Sequence, residues 1–331
     1  MATEETGRSP ELDPVVARLV RSSATPPFLG DLGPHDGRLA LAESQGYSMD
    51  QETLPGEFSV AEIGPAGLVG FWTVRPPGPA AAPLPVVLYL HGGRFMIGDA
   101  HTHSRVVRDL VAASGAAFVV PEYTRTPEAR FPVALEEGYA LLEWVVEHAR
   151  DLGFDPDRVA VAGDCAGATL ATGLALLGAR RGGPRPRAQL LYYPFVDDRC
   201  DTPSHRGLGD GYLLTSAQVR RYWRAYLPDA AARADPLAVP ARATATELAG
   251  LPDTLVVTAE ADVLRDEGER YAERLRAAGV AATTTRYRGT VHDFVTLRAL
   301  ETTEAATEAI AQGGEFLRRA LHPARGAGAG A

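Results

Sequence analysis

Apolar residues along this chain follow two rhythms. Short, nearly continuous apolar runs recur at VVLYL (86–90), AAFVVPEY (116–123), RVAVAG (158–163), AQLLYYP (188–194) and TLVVTAE (254–260). Strands buried on both faces read this way. LVGFWTVR, ahead of the turn RPPGPAAAPLP (75–85), and ATTTRYR (282–288) complete the predicted strands. Between the runs, apolar residues return at helical spacing over 102–114, 132–150, 167–180, 266–278 and 303–320. Alternating strands and helices predict an α/β fold with a mostly parallel central sheet and helices on both faces.

Two segments break the rhythm. Residues 10–50 hold two short helical patterns, and 198–245 is turn-rich with one amphipathic piece, TSAQVRRYWRAYL. Both are expected to form a helical cap over the C-terminal edge of the sheet, where α/β proteins place their sites. The expected division is a cap segment at 1–50, core at 51–197, a second cap segment at 198–245 and core again at 246–321. The tail 322–331, mostly Gly and Ala, buries too little to order and is expected to be disordered.

Composition narrows the partners. The chain has 331 residues and a net charge of −9, with no clustered positive charge. Nucleic acid and anionic membranes are therefore not expected as partners. All 33 basic residues are arginine, a bias from which no chemistry follows. No run approaches the roughly 18 apolar residues of a membrane span, and the acidic N-terminus lacks an apolar signal core, so a cytoplasmic location is expected. Two cysteines, Cys165 and Cys200, make no disulfide framework.

Four stretches carry candidate chemistry. VAVAGDCAGATLA ends a strand in small residues and starts a helix, the shape of a G-x-S-x-G nucleophile elbow with Cys165 in the nucleophile slot. A helix N-terminus there favours a thiolate. Alone, the stretch reads equally as a strand–turn–helix around a buried structural cysteine. YLHGGRFMIGD (89–99) follows the strongest strand, and consecutive glycines let backbone N–H groups converge on an oxyanion. In TAEADVLRDEGER, Asp262 lies just past a strand end, whereas Asp266, Glu267 and Glu269 charge the first turn of a helix. In YRGTVHDF, His292 follows a strand and a turn. Cys165, Asp262 and His292 thus fall in the nucleophile–acid–base order of α/β-hydrolases. His101 and His103 lack a supporting ligand pattern for metal and read as a solvated loop.

With these stretches the chain resembles the hormone-sensitive-lipase-like esterases of the α/β-hydrolase fold, from about residue 10 to 320. HGGRF, TPEARFPVALEEGYALLEW, GDCAGA, TPSHRGLGDGYLLT, LRDEGERYAERLRAAGV and VHDF carry the likeness, in order. The resemblance implies a triad of Cys165, Asp262 and His292. It implies an oxyanion hole from Gly92, Gly93 and Arg94 plus the N–H of Ala166, and no metal or organic cofactor. Arg94, Phe95, Tyr212 and Leu214 are candidate pocket residues. Members of this family often pair through the last helix, which makes a homodimer an expectation by analogy.

Two departures stand out. Cysteine replaces the family's serine at 165, and arginine replaces the third glycine of H-G-G-G at 94. The Arg94 side chain either faces the site or turns to solvent. A thiol, with an ordinary pKa of about 8.5, needs less help from a base than a hydroxyl does. Three functions follow. The first is acyl transfer from an ester or thioester, including a carrier-bound one, through an acyl-thioester on Cys165, ending in hydrolysis, transfer or cyclisation. The second is a small-molecule-binding module without catalysis. The third is an ordinary serine esterase whose native serine was deliberately replaced by Cys165 to trap an intermediate.

Overall fold

The computed structural model describes residues 9–46, 55–63, 67–79 and 82–322. Among the described residues, eight strands form one sheet in the order β1-β2-β4-β3-β5-β6-β7-β8. They are β1 (Glu57–Glu62), β2 (Leu68–Val74), β3 (Leu84–Leu90), β4 (Ala117–Pro121), β5 (Phe154–Asp164), β6 (Ala188–Tyr192), β7 (Asp253–Ala261) and β8 (Ala282–Val291). β1, β2 and β4 are joined by antiparallel ladders, and all other neighbours run parallel. The helices Ser104–Ser114 and Glu304–Leu321 pack together, Val133–Glu147 packs on Ala166–Arg181, and Arg265–Ala277 packs on β7 and β8. The mostly parallel α/β architecture read from the apolar rhythm is present.

β1 is the strand the sequence reading lacks. Its exposure alternates around a single buried residue, Ala61, and Phe58 and Val60 face outward. An edge strand covered on one side has no continuous apolar run to reveal it. The tail beyond His322 lies outside the described residues.

The helix Ala166–Arg181 shows why the centre is so rich in Ala and Gly. Every residue from Ala166 to Gly178 is buried, so the helix lies between the sheet and other helices with no solvent face. A Cβ on Gly167 would come within 1.9 Å of the Leu90 carbonyl oxygen, and one on Gly163 within 2.5 Å of the Gly167 backbone. These two glycines let helix and strand approach closely on either side of residue 165.

The segments outside the β–α rhythm meet above the loops that follow β3 and β8. Arg38, on the helix Pro34–Ser44, donates to the carbonyls of Met96 and Thr126 and pairs with Glu128 through both terminal nitrogens. Gln45 bridges the carbonyls of Thr102 and Thr296. On the helix Ser216–Tyr226, Arg221 and Tyr222 donate to the Gly30 carbonyl, binding the two segments to each other. Among the described residues, no helix is long and apolar enough to cross a membrane.

Candidate active site

β5 stops at Asp164, and the helix begins at Ala166. Cys165 between them has φ 53° and ψ −121°, a strained conformation for a residue with a side chain. The backbone holds it there. Its N–H donates to the Tyr192 carbonyl at 2.9 Å, and its own carbonyl accepts from Phe195 at 3.3 Å. The turn aims the thiol away from the sheet, toward the end of β8.

His292 follows β8 and Asp262 follows β7, so parallel neighbours deliver both side chains to the same edge. His292 Nε2 lies 3.1 Å from Cys165 Sγ, and Nδ1 lies 2.8 Å from Asp262 Oδ2. Asp262 Oδ1 accepts from the Leu264 N–H at 3.0 Å, which fixes the carboxylate. Cys165, His292 and Asp262 are 0%, 1% and 2% exposed. Burial works against a charged imidazole, but Asp262, Asp293 and Cys165 outweigh it and hold the His292 pKa well above 6.5. Cys200, the other thiol, sits elsewhere. Burial, followed by the charge of Glu267, pushes its pKa to about 12, so it stays protonated.

The loop after β3 lies over the elbow. Gly93 has φ +112°, and a Cβ there would fall 1.9 Å from the Ile97 carbonyl oxygen, so the turn requires glycine. The Gly92 N–H, expected among the oxyanion donors, instead donates to Asp164 Oδ1 at 2.9 Å. That correction leaves the amides of Gly93, Arg94 and Ala166 as candidates. Asp164 Oδ1 also accepts from the Tyr89 hydroxyl at 2.7 Å, and Oδ2 lies 3.4 Å from His103 Nε2. Burial opposes charge on both partners. Their mutual attraction prevails, lowering the Asp164 pKa and raising that of His103. His103 is therefore a buried partner of Asp164, and the solvated-loop reading fails for it because a carboxylate one residue before the elbow needs a counter-charge.

Asp164→Ala would leave the Gly92 amide, the Tyr89 hydroxyl and His103 buried without their partner. The expected loss is about 3 kcal/mol of stability, read by denaturant unfolding at pH 7. The sign of its pH dependence follows from the lowered carboxylate pKa. The Asp164 contribution is full above its unfolded value, about 3.9, and fades as pH falls through the lower folded value. The gap between parent and variant should therefore close in acid.

Arg94 does not turn to solvent. It is buried, has φ 59°, and its guanidinium meets Asp293 Oδ2 at 3.0 Å and faces the Tyr222 ring at 6.0 Å. Asp293, also left-handed at φ 63°, places Oδ1 3.3 Å from His292 Nε2. The two unusual backbone positions thus hold one ion pair beside the imidazole. Phe95 stacks on Tyr226 at 3.8 Å between ring centroids and abuts Phe195 and Trp223. Leu214 is buried and Tyr212 half-buried in the turn before the helix Ser216–Tyr226, with Glu260 near Tyr212.

The rings beside the imidazole are Tyr193, 4.9 Å from His292, and Phe195, at 6.3 Å. Sequence reasoning missed both, along with Asp164 and Asp293. The two aspartates neighbour motif residues directly, so adjacency was the available signal. Tyr193 and Phe195 lie past the end of β6, a position that marks them only once the sheet order is known.

Comparison with known proteins agrees with this geometry. Residues 87–296 match the family described as alpha/beta hydrolase fold. The chain is 35% identical over 317 residues to the esterase LipI of Mycobacterium tuberculosis, covering 95% of this chain and 96% of that one. It is 34% identical over 330 residues to the carboxylesterase NlhH of the same species, covering 97% and 99%. A thermostable esterase from Pseudomonas putida superposes with a TM-score of 0.90 at 37% identity, covering 95% of this chain and 99% of that structure. Fold, site geometry and relatives converge: the chain belongs to the alpha/beta hydrolase fold family and is a hydrolase.

Proposed function

We propose that the protein hydrolyses carboxylic esters on a scaffold suited to a serine esterase, with Cys165 standing where the serine hydroxyl would act. The observation that carries this is the 3.1 Å approach of His292 Nε2 to Cys165 Sγ, backed by the 2.8 Å contact of Nδ1 with Asp262. The relatives are named as esterases, which favours water as acyl acceptor over a specialised acceptor or a cyclisation. They also favour the reading of Cys165 as a replacement for serine over a site specialised for thioesters.

In the reaction, Sγ attacks the carbonyl carbon and the carbonyl oxygen takes the negative charge. The amides of Gly93, Arg94 and Ala166 receive that charge. As the intermediate collapses, the alkoxide leaves with the proton from His292 Nε2, and an acyl-thioester remains on Cys165. Water then attacks this thioester while Nε2 takes its proton. The acid departs and the thiolate–imidazolium pair is restored. Asp262 keeps the Nδ1 proton in place throughout. The buried thiol needs an entry route, and movement of the cap expected from 1–50 and 198–245 would open one.

Intact-protein mass spectrometry tests the reading. Incubation with p-nitrophenyl acetate or an acetyl thioester should add one acetyl group to the parent and none to Cys165→Ala. Decay of the adduct in water identifies hydrolysis, and decay only with added amine or thiol identifies transfer. No adduct and no turnover with either donor would overturn the proposal in favour of a binding module.

A further inference from the structure

Cys165, His292 and Asp293 bring a thiol sulfur, an imidazole nitrogen and a carboxylate oxygen within 4.8 Å of one another. Sγ and Nε2 are 3.1 Å apart, and Nε2 and Asp293 Oδ1 are 3.3 Å apart. Tetrahedral zinc, with bonds of about 2.3 Å to sulfur and about 2.0 Å to nitrogen and oxygen, separates such donors by roughly 3.3–3.6 Å. Two of the three separations are already close to these values, and the third, Sγ to the Asp293 carboxylate, is within 4.8 Å.

The surroundings suit an ion as well as the donors do. A zinc-bound histidine keeps its other ring nitrogen protonated and donates it to a carboxylate. Asp262 already holds Nδ1 at 2.8 Å. A ligating carboxylate is steadied by a second partner on its free oxygen, and Arg94 occupies Asp293 Oδ2 at 3.0 Å. With the thiol ionised and the imidazole neutral, Cys165, Asp262 and Asp293 supply three negative charges and Arg94 one positive. The remainder is balanced by a divalent cation. Asp293 is 16% exposed and is the member through which an ion would enter. Thiolate, imidazole and carboxylate together select zinc over calcium or magnesium.

We propose that this cluster is a three-coordinate site for Zn²⁺, with water in the fourth position, and that the ion reversibly blocks ester hydrolysis. Binding displaces the one proton that Sγ and Nε2 share, held on Nε2 in the thiolate–imidazolium pair, and releases it to solvent. The ion then occupies the lone pairs that attack the ester and shuttle its proton. The blocking step rests on the proposed function, whereas binding rests on geometry alone.

Equilibrium dialysis of the full chain against Zn²⁺ at pH 7.5 should give one ion per chain. Cys165→Ala should weaken binding by about 100-fold or more, and Asp293→Asn, which removes the charge but keeps an oxygen donor, by about tenfold. Co²⁺ in place of Zn²⁺ should give a thiolate-to-metal charge-transfer band in the parent that Cys165→Ser lacks, a reading that requires no loss-of-ligand variant to keep its affinity. Turnover of p-nitrophenyl acetate should fall with the same midpoint as Zn²⁺ uptake and return with a chelator. Equal binding by parent and Cys165→Ala, or by parent and Asp293→Asn, would overturn the site. Zinc bound as described with turnover unchanged would support the site and instead overturn Cys165 and His292 as the catalytic pair.

Discussion

Cys165→Ser should raise turnover of an unactivated alkyl ester such as ethyl butyrate by about 100-fold, the scale set by an angstrom-sized misplacement of a reacting atom. The larger sulfur, with its longer bond to carbon, shifts the carbonyl relative to amides fixed by the backbone turns at 93–94 and 165–166. Thiolate also leaves more readily than alkoxide, so the intermediate from an alkyl ester tends to revert by expelling Sγ. Serine removes both handicaps. The pH profiles should move in opposite directions. His292 holds its proton well above pH 6.5 under the influence of Asp262, Asp293 and Cys165. A thiolate–imidazolium pair is active while that proton stays and fades as pH rises through the folded pKa. A serine needs neutral imidazole, so the variant should gain rate over the same rise, beginning lower because the Cys165 charge is gone. A serine variant slower than the parent on alkyl esters would show a site tuned to the thiol and defeat the serine-esterase reading. Initial rates for both proteins between pH 6 and 9 decide it.

The parts legible in the sequence were those written in consecutive residues. β3 and β7 appear as apolar runs because both faces are covered. The elbow appears because Gly163 and Gly167 must let a helix and a strand nearly touch. Asp262 and His292 follow from chain order and strand ends. What stayed hidden depends on pairing across the fold. Whether Arg94 faced solvent or the site was open until Asp293, 199 positions away, proved to be its partner. His103 looked like a loop residue because Asp164, its counter-charge, is 61 residues on and belongs to another strand's end. Gly92 was assigned to the oxyanion for the same reason: the glycine pattern shows where amides converge, but not that Asp164 has already taken one of them. β1 was invisible because an edge strand needs little apolar surface.

Asp262→Asn should separate the two readings of Cys165 by the size of its penalty. In the Cys165→Ser background the expected loss in kcat is about 10⁴-fold, as in serine hydrolases where an amide at this position leaves the imidazole in the wrong tautomer. Here the argument is local. Nδ1 faces Asp262 Oδ2 at 2.8 Å, while the other oxygen is occupied by the Leu264 amide. An amide there can turn its NH₂ toward Nδ1, which places the ring proton on Nε2 and removes the base. With the thiol in place the penalty should be far smaller. A protonated imidazole carries hydrogens on both nitrogens, so an amide oxygen can still accept from Nδ1, and Asp293 remains beside Nε2 to favour the charged ring. Cysteine hydrolases that use asparagine as the third member work in this way. The informative quantity is the ratio of the two penalties, measured as a double-mutant cycle on p-nitrophenyl acetate. A ratio of at least about 100 shows that Cys165 attacks as an already ionised thiolate. Equal penalties would show His292 removing a proton from the thiol in the rate-limiting step, as it would from a serine hydroxyl, and the resting ion pair would then play no part in the reaction.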